Sequence, residues 1–312
     1  MATETTLISK SLEKGEKSPI INILSKLWGT IKRRYKKQFI LIMGLLVFVL
    51  ILEILTALPG MTDPKYILFD GVKYHSEYPP SWKYWLGTNS TSQDVALLIL
   101  HGTKNSLYFG IGCALISTAV ALVVGIFGPF IGGVWDTASS FITNIAMVFP
   151  QIPFILFISS LMATRSWVTV MLIIGLFSWP WAARAIRSQV LTLRERNFIK
   201  VSKMSALGNM KIAFSEIIPN VLSYVILVFS ISFGIGIITE AGISMLGLGD
   251  SSGNFVTLGY VLWYHQTEYI LNQNFYHIWL SPGIVLTLIF LIFYVIQSSF
   301  IMTFNPRTRE NM

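Results

Sequence analysis

The residues of this 312-residue chain that could do chemistry are few and scattered. His75, His101, His265 and His277 stand apart, and none makes a close pair of metal-ligand spacing. Cys113 is the single cysteine; it excludes an internal disulfide and, with no Cys or His companion nearby, reads as a packing residue. The stretch GTKNS at 102–106 is too short for a G-x-x-x-x-G-K-[ST] phosphate loop, so the chain has no such means of holding ATP. No Ser, His and Asp constellation can be assembled. What remains is one carboxylate, Glu240 in IITEAGISMLGLG. A charge deep in a bilayer costs about 2.5–3.5 kcal/mol on insertion scales and faces a wet or polar interior. Glu240 therefore either lines a path or braces a helix end, and the chain is not expected to be an enzyme.

The elements that must position Glu240 are membrane helices. Hydrophobic residues make up 53% of the chain and charged ones 12%, about half the charged share of a soluble domain. Six apolar runs have the length needed to cross a hydrocarbon core: Phe39 to Leu58, Asn105 to Phe127, Thr137 to Ala163, Trp167 to Ala183, Val221 to Glu240 and Gly283 to Phe304. The second carries the small-residue stripe Ala114, Thr118, Ala121 and Gly125, which favours close helix approach. The third contains Pro150 and Pro153 and is expected to kink.

Basic residues set the orientation. Of 23 lysines and arginines, 18 fall in the N-terminal tail, in Arg184 to Lys211, or at Arg307 and Arg309. By the positive-inside rule both termini are cytoplasmic, in a multi-pass protein of the cell membrane. The net charge of +8 follows from these flanks and suits anionic lipid headgroups, not nucleic acid.

This divides the chain into a cytoplasmic tail over 1–37, a transmembrane domain over 38–307 and a C-terminal tail over 308–312. Residues 1–17 have the composition of a disordered tail. Ile20, Ile23, Leu24, Leu27, Trp28 and Ile31 recur at helical spacing and predict an interfacial helix. External loops are expected at about 59–104 and 241–282. The first holds the aromatic stretch YHSEYPPSWKYW and the sequon Asn89-Ser90-Thr91, relevant only in a host that glycosylates surface proteins.

The cytoplasmic segment at about 188–219 is too long for a mere connection. Leu193 to Leu207 favours helix, Gly208 is placed to end it, and Asn209 can cap a second short helix running towards Pro219. Val201, Ser202, Ser205 and Ala206 fall on one small-residue face, ringed by Arg194, Arg196, Lys200 and Lys203. From pattern alone this face either packs on the chain's own bundle or receives another protein.

The same segment resembles the Glu-Ala-Ala loop of ATP-binding-cassette importer permeases, E-A-A, three residues, G, nine residues, I-x-L-P. Lys200, Val201 and Ser202 sit at E-A-A, Ala206 at the glycine, and Glu216 to Pro219 at I-x-L-P. LGTNSTSQDVALLILHGTKNSLYFG at 86–110 is similar to the L-G-T-D-x-x-G-R-D-V stretch of the dipeptide, oligopeptide and nickel permeases, with Asn89 for its Asp and Gln93 for its Arg. WPWAARAIRSQVLTLRERNFI at 179–199, ITEAGISMLGLG at 238–249, SPG at 281–283 and NPR at 305–307 follow the family's order. The chain is identified as resembling the second of that family's two permease types.

The resemblance implies an all-α, six-helix type I importer permease with cytoplasmic coupling helices. Its implied partners are a homologous second permease, two ATPases that bind ATP and Mg, and an extracellular or periplasmic binding protein. No cofactor is expected in this chain itself. Lys200, Val201, Ser202, Ser205, Ala206, Gly208 and Pro219 would couple to an ATPase, although Lys200 reverses the charge of the loop's Glu and Ala206 removes a glycine. Oligopeptides or dipeptides are the implied cargo. Di- or oligosaccharides are the alternative within the same machinery, and a secondary transporter or channel is the alternative outside it. A secondary carrier predicts paired mid-bilayer ionisable residues or inverted repeats, and neither is visible.

Overall fold

The computed structural model describes residues 36–58, 78–197, 199, 202, 212–251, 253, 255–269 and 275–304. The interfacial helix expected around Ile20 to Ile31 and the far ends of both tails lie outside them. In chain order the helices are α1 Lys36–Ala57, α2 Val95–Leu122, α3 Gly128–Ile131, α4 Gly133–Val148, α5 Gln151–Leu161, α6 Trp167–Arg194, α7 Ile218–Met245, α8 Leu258–Tyr269 and α9 Tyr276–Phe304. Single π-helical turns join α2 to α3 (Val123–Phe127) and precede α7 (Ala213–Ile217). Among the described residues the only β pairing is an isolated bridge between Thr88 and Asp94.

Four of these helices are long and apolar enough to cross a bilayer: Val95–Ile131, Trp167–Arg194, Tyr224–Met245 and Tyr276–Ser298. The pair α4 and α5 makes a fifth if it counts as one broken span, and α1, with 22 residues, is about 33 Å long. The expected single kinked helix Thr137 to Ala163 is instead two helices at 78°. Phe149 and Pro150 leave the helical conformation, as expected where a residue precedes proline. Pro153 lies in the first turn of α5, where a proline is tolerated.

Other boundaries also move. The second span begins at Val95, ten residues before the expected Asn105, because Asp94 caps it: Asp94 Oδ1 accepts from the amides of Ala96 (2.8 Å) and Leu97 (3.3 Å). The stretch expected as an external loop over 241–282 contains the end of α7, all of α8 and the start of α9. Helix expected from Leu193 to Leu207 is interrupted, because α6 closes at Arg194 and the chain turns at Glu195 and Arg196. Pro219 does not end a helix but sits in the first turn of α7.

Asp94 offers a direct test of its cap. Burial raises its carboxyl above the ordinary range, and the amide bonds from Leu97 and Ala96 oppose that rise. A folded-state pKa above the unfolded value means a contribution that favours the fold at low pH and is lost as pH climbs through the raised value. Asp94→Ala is expected to cost about 1 kcal/mol through the lost cap. Asp94→Asn keeps the cap and flattens this pH dependence, which thermal melts in detergent across the carboxylate range would reveal.

The centre of the bundle is α2, gripped between α6 and α7. Cβ atoms added at Gly175 of α6 and Gly236 of α7 would fall 2.8 Å from Ile116 Cβ and from Cys113 Cβ, so both helices approach the backbone of α2. The expected stripe faces these contacts. Ala114, Thr118 and Ala121 are buried, and a Cβ at Gly125 would meet the Ala183 carbonyl at 2.8 Å. Cys113 is buried in the same seam. α9 closes one side through the stacked Phe233 and Phe293 rings, 3.9 Å between centroids. Near the C-terminal end of α1, Lys104 bonds Thr56 at 3.1 Å and pairs with Glu53 at 3.7 Å, and the Tyr108 hydroxyl donates to Glu53 at 3.1 Å, which pins α1 to α2.

Candidate functional site: the two ends of α7

Helix α7 runs 28 residues without an internal break and has a distinct joint at each end. At the N-terminal end, Ile199, Ile212 and Ile217 are fully buried and pack with Ile186 and Val190 of α6 and Val221 of α7. These isoleucines flank the expected coupling segment and root it in two spans. Each sits in a short apolar cluster (Phe198-Ile199, Ile212-Ala213-Phe214, Ile217-Ile218) too brief for a periodicity reading; their one signal is apolar residues at each edge of a basic stretch. Ser202 is helical and partly buried, and Pro219 opens α7. Lys200, Val201, Ser205, Ala206 and Gly208 lie outside the described residues.

The neighbouring turn between α3 and α4 has no basic residue of its own. Gly132 and Gly133 take it at φ of 80° and 60°, values that favour glycine. Two arginines reach it from α6: Arg194 donates to the Pro129 carbonyl at 2.7 Å, and Arg187 pairs with Asp136. Arg184, one helical turn further in, donates to Asn144 Oδ1 at 2.8 Å.

Towards the C-terminal end Glu240 is 4% exposed. Its Oε1 accepts from the Ser244 hydroxyl at 2.7 Å and the Thr257 hydroxyl at 2.6 Å. Thr257 immediately precedes α8 and also accepts from the Tyr260 amide at 3.1 Å, in the manner of an N-cap. α2 holds the same helix start, with Leu258 N donating to Ser106 Oγ at 2.9 Å and Asn105 Nδ2 donating to the Val256 carbonyl at 2.8 Å. Two glycines make room. A Cβ at Gly259 would stand 2.7 Å from Ala241 Cα and 3.0 Å from Glu240 Oε2, and one at Gly102 would stand 3.3 Å from Leu258 N. Sequence reasoning picked Glu240 but not Thr257, Ser106 or Gly259, because their partners lie 17 to 152 positions away.

Beside this joint lies a cavity of about 270 Å³ lined by Arg165, Ser244, Asp250, Tyr260 and Trp263 among others. The Arg165 guanidinium is committed to the wall: it donates to the carbonyls of Gly249 (3.1 Å) and Gly247 (3.3 Å) and so ties the α5–α6 connection to the turn after α7. On α8, His265 is buried and its imidazole is pushed down to about 4 by burial, a hydrogen bond to the Ile278 backbone acting the other way. It is neutral at physiological pH. Among the described residues no group of three or more His, Cys, Asp or Glu could hold a metal ion.

The chain enters α2 through a tightly hydrogen-bonded turn. Asn89 is buried, and its Oδ1 accepts from Thr91 N (3.2 Å), Thr91 Oγ1 (2.9 Å) and Gln93 N (2.8 Å), while Nδ2 donates to Gln93 Oε1 at 3.1 Å.

Comparison with known proteins places this architecture. The family described as binding-protein-dependent transport system inner membrane component matches residues 117–310, and the chain belongs to it. A Brucella suis protein named as a peptide permease is 32% identical over 238 residues, 74% of this chain and 76% of that protein. The oligopeptide transport system permease protein OppC of Mycobacterium tuberculosis is 32% identical over 55% of this chain and 59% of its own length. The dipeptide transport system permease protein DppC of Alkalihalophilus pseudofirmus is 28% identical over 71% of this chain and 72% of its own. Among solved structures, a chain of the MetNI methionine ABC transporter in an inward-facing conformation is similar in fold, with a TM-score of 0.54 and 17% identity over 67% of this chain and 97% of that one. The protein is thus an all-helical, multi-pass permease of the binding-protein-dependent importers.

Proposed function

We propose that the chain is the membrane half-channel of an ATP-driven importer of oligopeptides or dipeptides. The observation that carries this reading is its similarity, over about three quarters of its length, to proteins named as peptide permeases. It works with a second, homologous permease, an external binding protein and two ATPases that hold ATP and Mg. Both termini are cytoplasmic, in keeping with Arg184, Arg187 and Arg194 at the inner part of α6. Lys200, Val201, Ser202, Ser205, Ala206, Gly208 and Pro219 form the contact with an ATPase. Glu240 braces the outer end of α7. A saccharide cargo has one supporting feature: Trp82 is wholly exposed and Trp85 is 77% exposed, as stacking on a sugar would need.

The test is uptake by the assembled five-protein complex in vesicles, with labelled oligopeptides and oligosaccharides offered separately. Uptake of peptide that requires both ATP and the binding protein is expected; uptake of sugar alone overturns the cargo. For the contact itself, Ala206→Trp is expected to insert normally yet lose both ATPases on co-purification. If the variant still carries both, the contact lies elsewhere.

A further inference from the structure

We propose that Glu240 and Thr257 are positioning residues for transport: their hydrogen bond makes the external helix α8 follow α7, so that movement at the inner end of α7 is delivered to the outer face. This rests on the importer reading above and adds to it a route from inside to outside.

The geometry supplies each step. At 1.5 Å per residue α7 is about 42 Å long, enough to span the bilayer with turns to spare. Its one proline, Pro219, lies in the first turn, where it does not weaken the rod. The inner end is rooted in the isoleucine cluster beside the coupling segment. The outer end meets α8 with almost no clearance, since a single added methyl at Gly259 would press into Ala241 and Glu240.

Helix α8 has a second allegiance. Ser106 and Asn105 tie its start to α2, through two bonds between neutral groups of 2.9 and 2.8 Å. If α7 shifts against α2, these ties and the tie to Glu240 cannot all persist. The Thr257 bond, 2.6 Å long, is at the short end for a hydroxyl-to-oxygen bond, and it is backed by the seating of Gly259 against Ala241, a contact that α2 does not share. Thr257 also caps α8 through the Tyr260 amide, so a pull on its hydroxyl acts on the helix and not on a loose loop. Ser244, the other donor to Glu240 Oε1, lines the outer cavity. Displacement of α8 would therefore reshape that cavity, whose wall includes Tyr260 and Trp263 of the same helix.

The experiment uses the complete complex in vesicles. Cys113 is the single cysteine and is buried, so spin labels can be directed to Met245→Cys at the end of α7 and Thr267→Cys on α8, both exposed positions. The separation between them is expected to stay constant between the nucleotide-free state and the state trapped with ATP and vanadate. A separation that changes with nucleotide would overturn the proposal. In the same complex Thr257→Val, which keeps shape and removes the hydroxyl, is expected to leave basal ATPase within about twofold. Its stimulation by peptide-loaded binding protein and its peptide uptake should fall at least tenfold. Thr257→Ser restores both. Wild-type stimulation and uptake in Thr257→Val would mean that the bond is a static brace. Should Thr257→Val fail to assemble, the label separation in the otherwise unaltered complex decides alone. A wild-type complex without ATP-dependent peptide uptake would instead count against the importer reading, and the label experiment would still report on the joint.

Discussion

Gly236→Val is expected to abolish the folded permease. The added Cβ alone would stand 2.8 Å from Cys113 Cβ, and Gly110 Cα lies 3.8 Å away on the same facing helix, so neither neighbour is the free end of a flexible side chain. Two helix backbones would have to separate, which breaks the contact between α7 and α2 along its length. Overpacking costs typically about 1–3 kcal/mol where neighbours can adjust. Here they cannot, and about 3 kcal/mol or more is expected, seen as loss of the monodisperse species in detergent or a fall in Tm of many degrees. The same helix provides the control. Gly234 and Gly242 have nothing within 4 Å of an added Cβ, so Gly234→Ala and Gly242→Ala are expected to fold normally and to gain a little helix propensity. Equal tolerance at all three positions would refute the close approach of α7 to α2.

Asn89→Ala is the second substitution with a measurable expected effect. It removes the acceptor for two backbone amides, Thr91 and Gln93, and for the Thr91 hydroxyl; Asn89 is buried, but Thr91 is exposed and Gln93 half-buried. Water can replace part of these bonds, so a loss towards the low end of the ~1–3 kcal/mol for an unsatisfied donor and a loosened start to α2 are expected, measurable by melting and by amide exchange over residues 87–95. Asn89→Asp keeps the acceptor and loses only the bond from Nδ2 to Gln93, so it should cost much less. Asn89 and Gln93, the two positions where this stretch departs from the Asp and Arg of the pattern it resembles, face each other at 3.1 Å. The double substitution Asn89→Asp with Gln93→Arg is therefore expected to recover most of what Gln93→Arg alone loses. The position of that pattern's second glycine is Ser92, held at φ 59°, the one positive-φ residue other than glycine among those described.

The helical class and the succession of spans were legible because an apolar run of membrane length has little else to be than a spanning helix. What the sequence concealed was wherever polar residues find partners far along the chain. His101, Thr103 and Lys104 look like loop, yet they belong to α2. Lys104 bonds Thr56 and Asn105 bonds Val256, contacts invisible to a local reading. Pro150 and Pro153 announced a bend, but a proline pattern does not say whether a helix kinks or stops, and here the chain leaves helix at Phe149 altogether. α8 escaped notice because its 12 residues, LGYVLWYHQTEY, mix apolar and polar types without a clear face. Glu240 stood out as a lone carboxylate among apolar residues. Its partners could not, since a serine one turn away and a threonine beyond a loop are ordinary until the fold brings them to one oxygen.

The corner between α4 and α5 sets a condition on whatever surrounds the protein. Two helices of 16 and 11 residues meet there at 78°, with Phe149 and Pro150 extended between them and no side-chain cap at either helix start. The Pro150 carbonyl is taken by the Phe154 amide at 3.1 Å, but the last carbonyls of α4 have no further helical turn to accept from and hydrocarbon tails offer no donor, so those oxygens look to water or to another polypeptide for company. Val148, Phe149 and Ile152 stand exposed around it, an oily collar more at home against protein than in an open aqueous cleft. Lipid alone is thus the wrong neighbour for this corner.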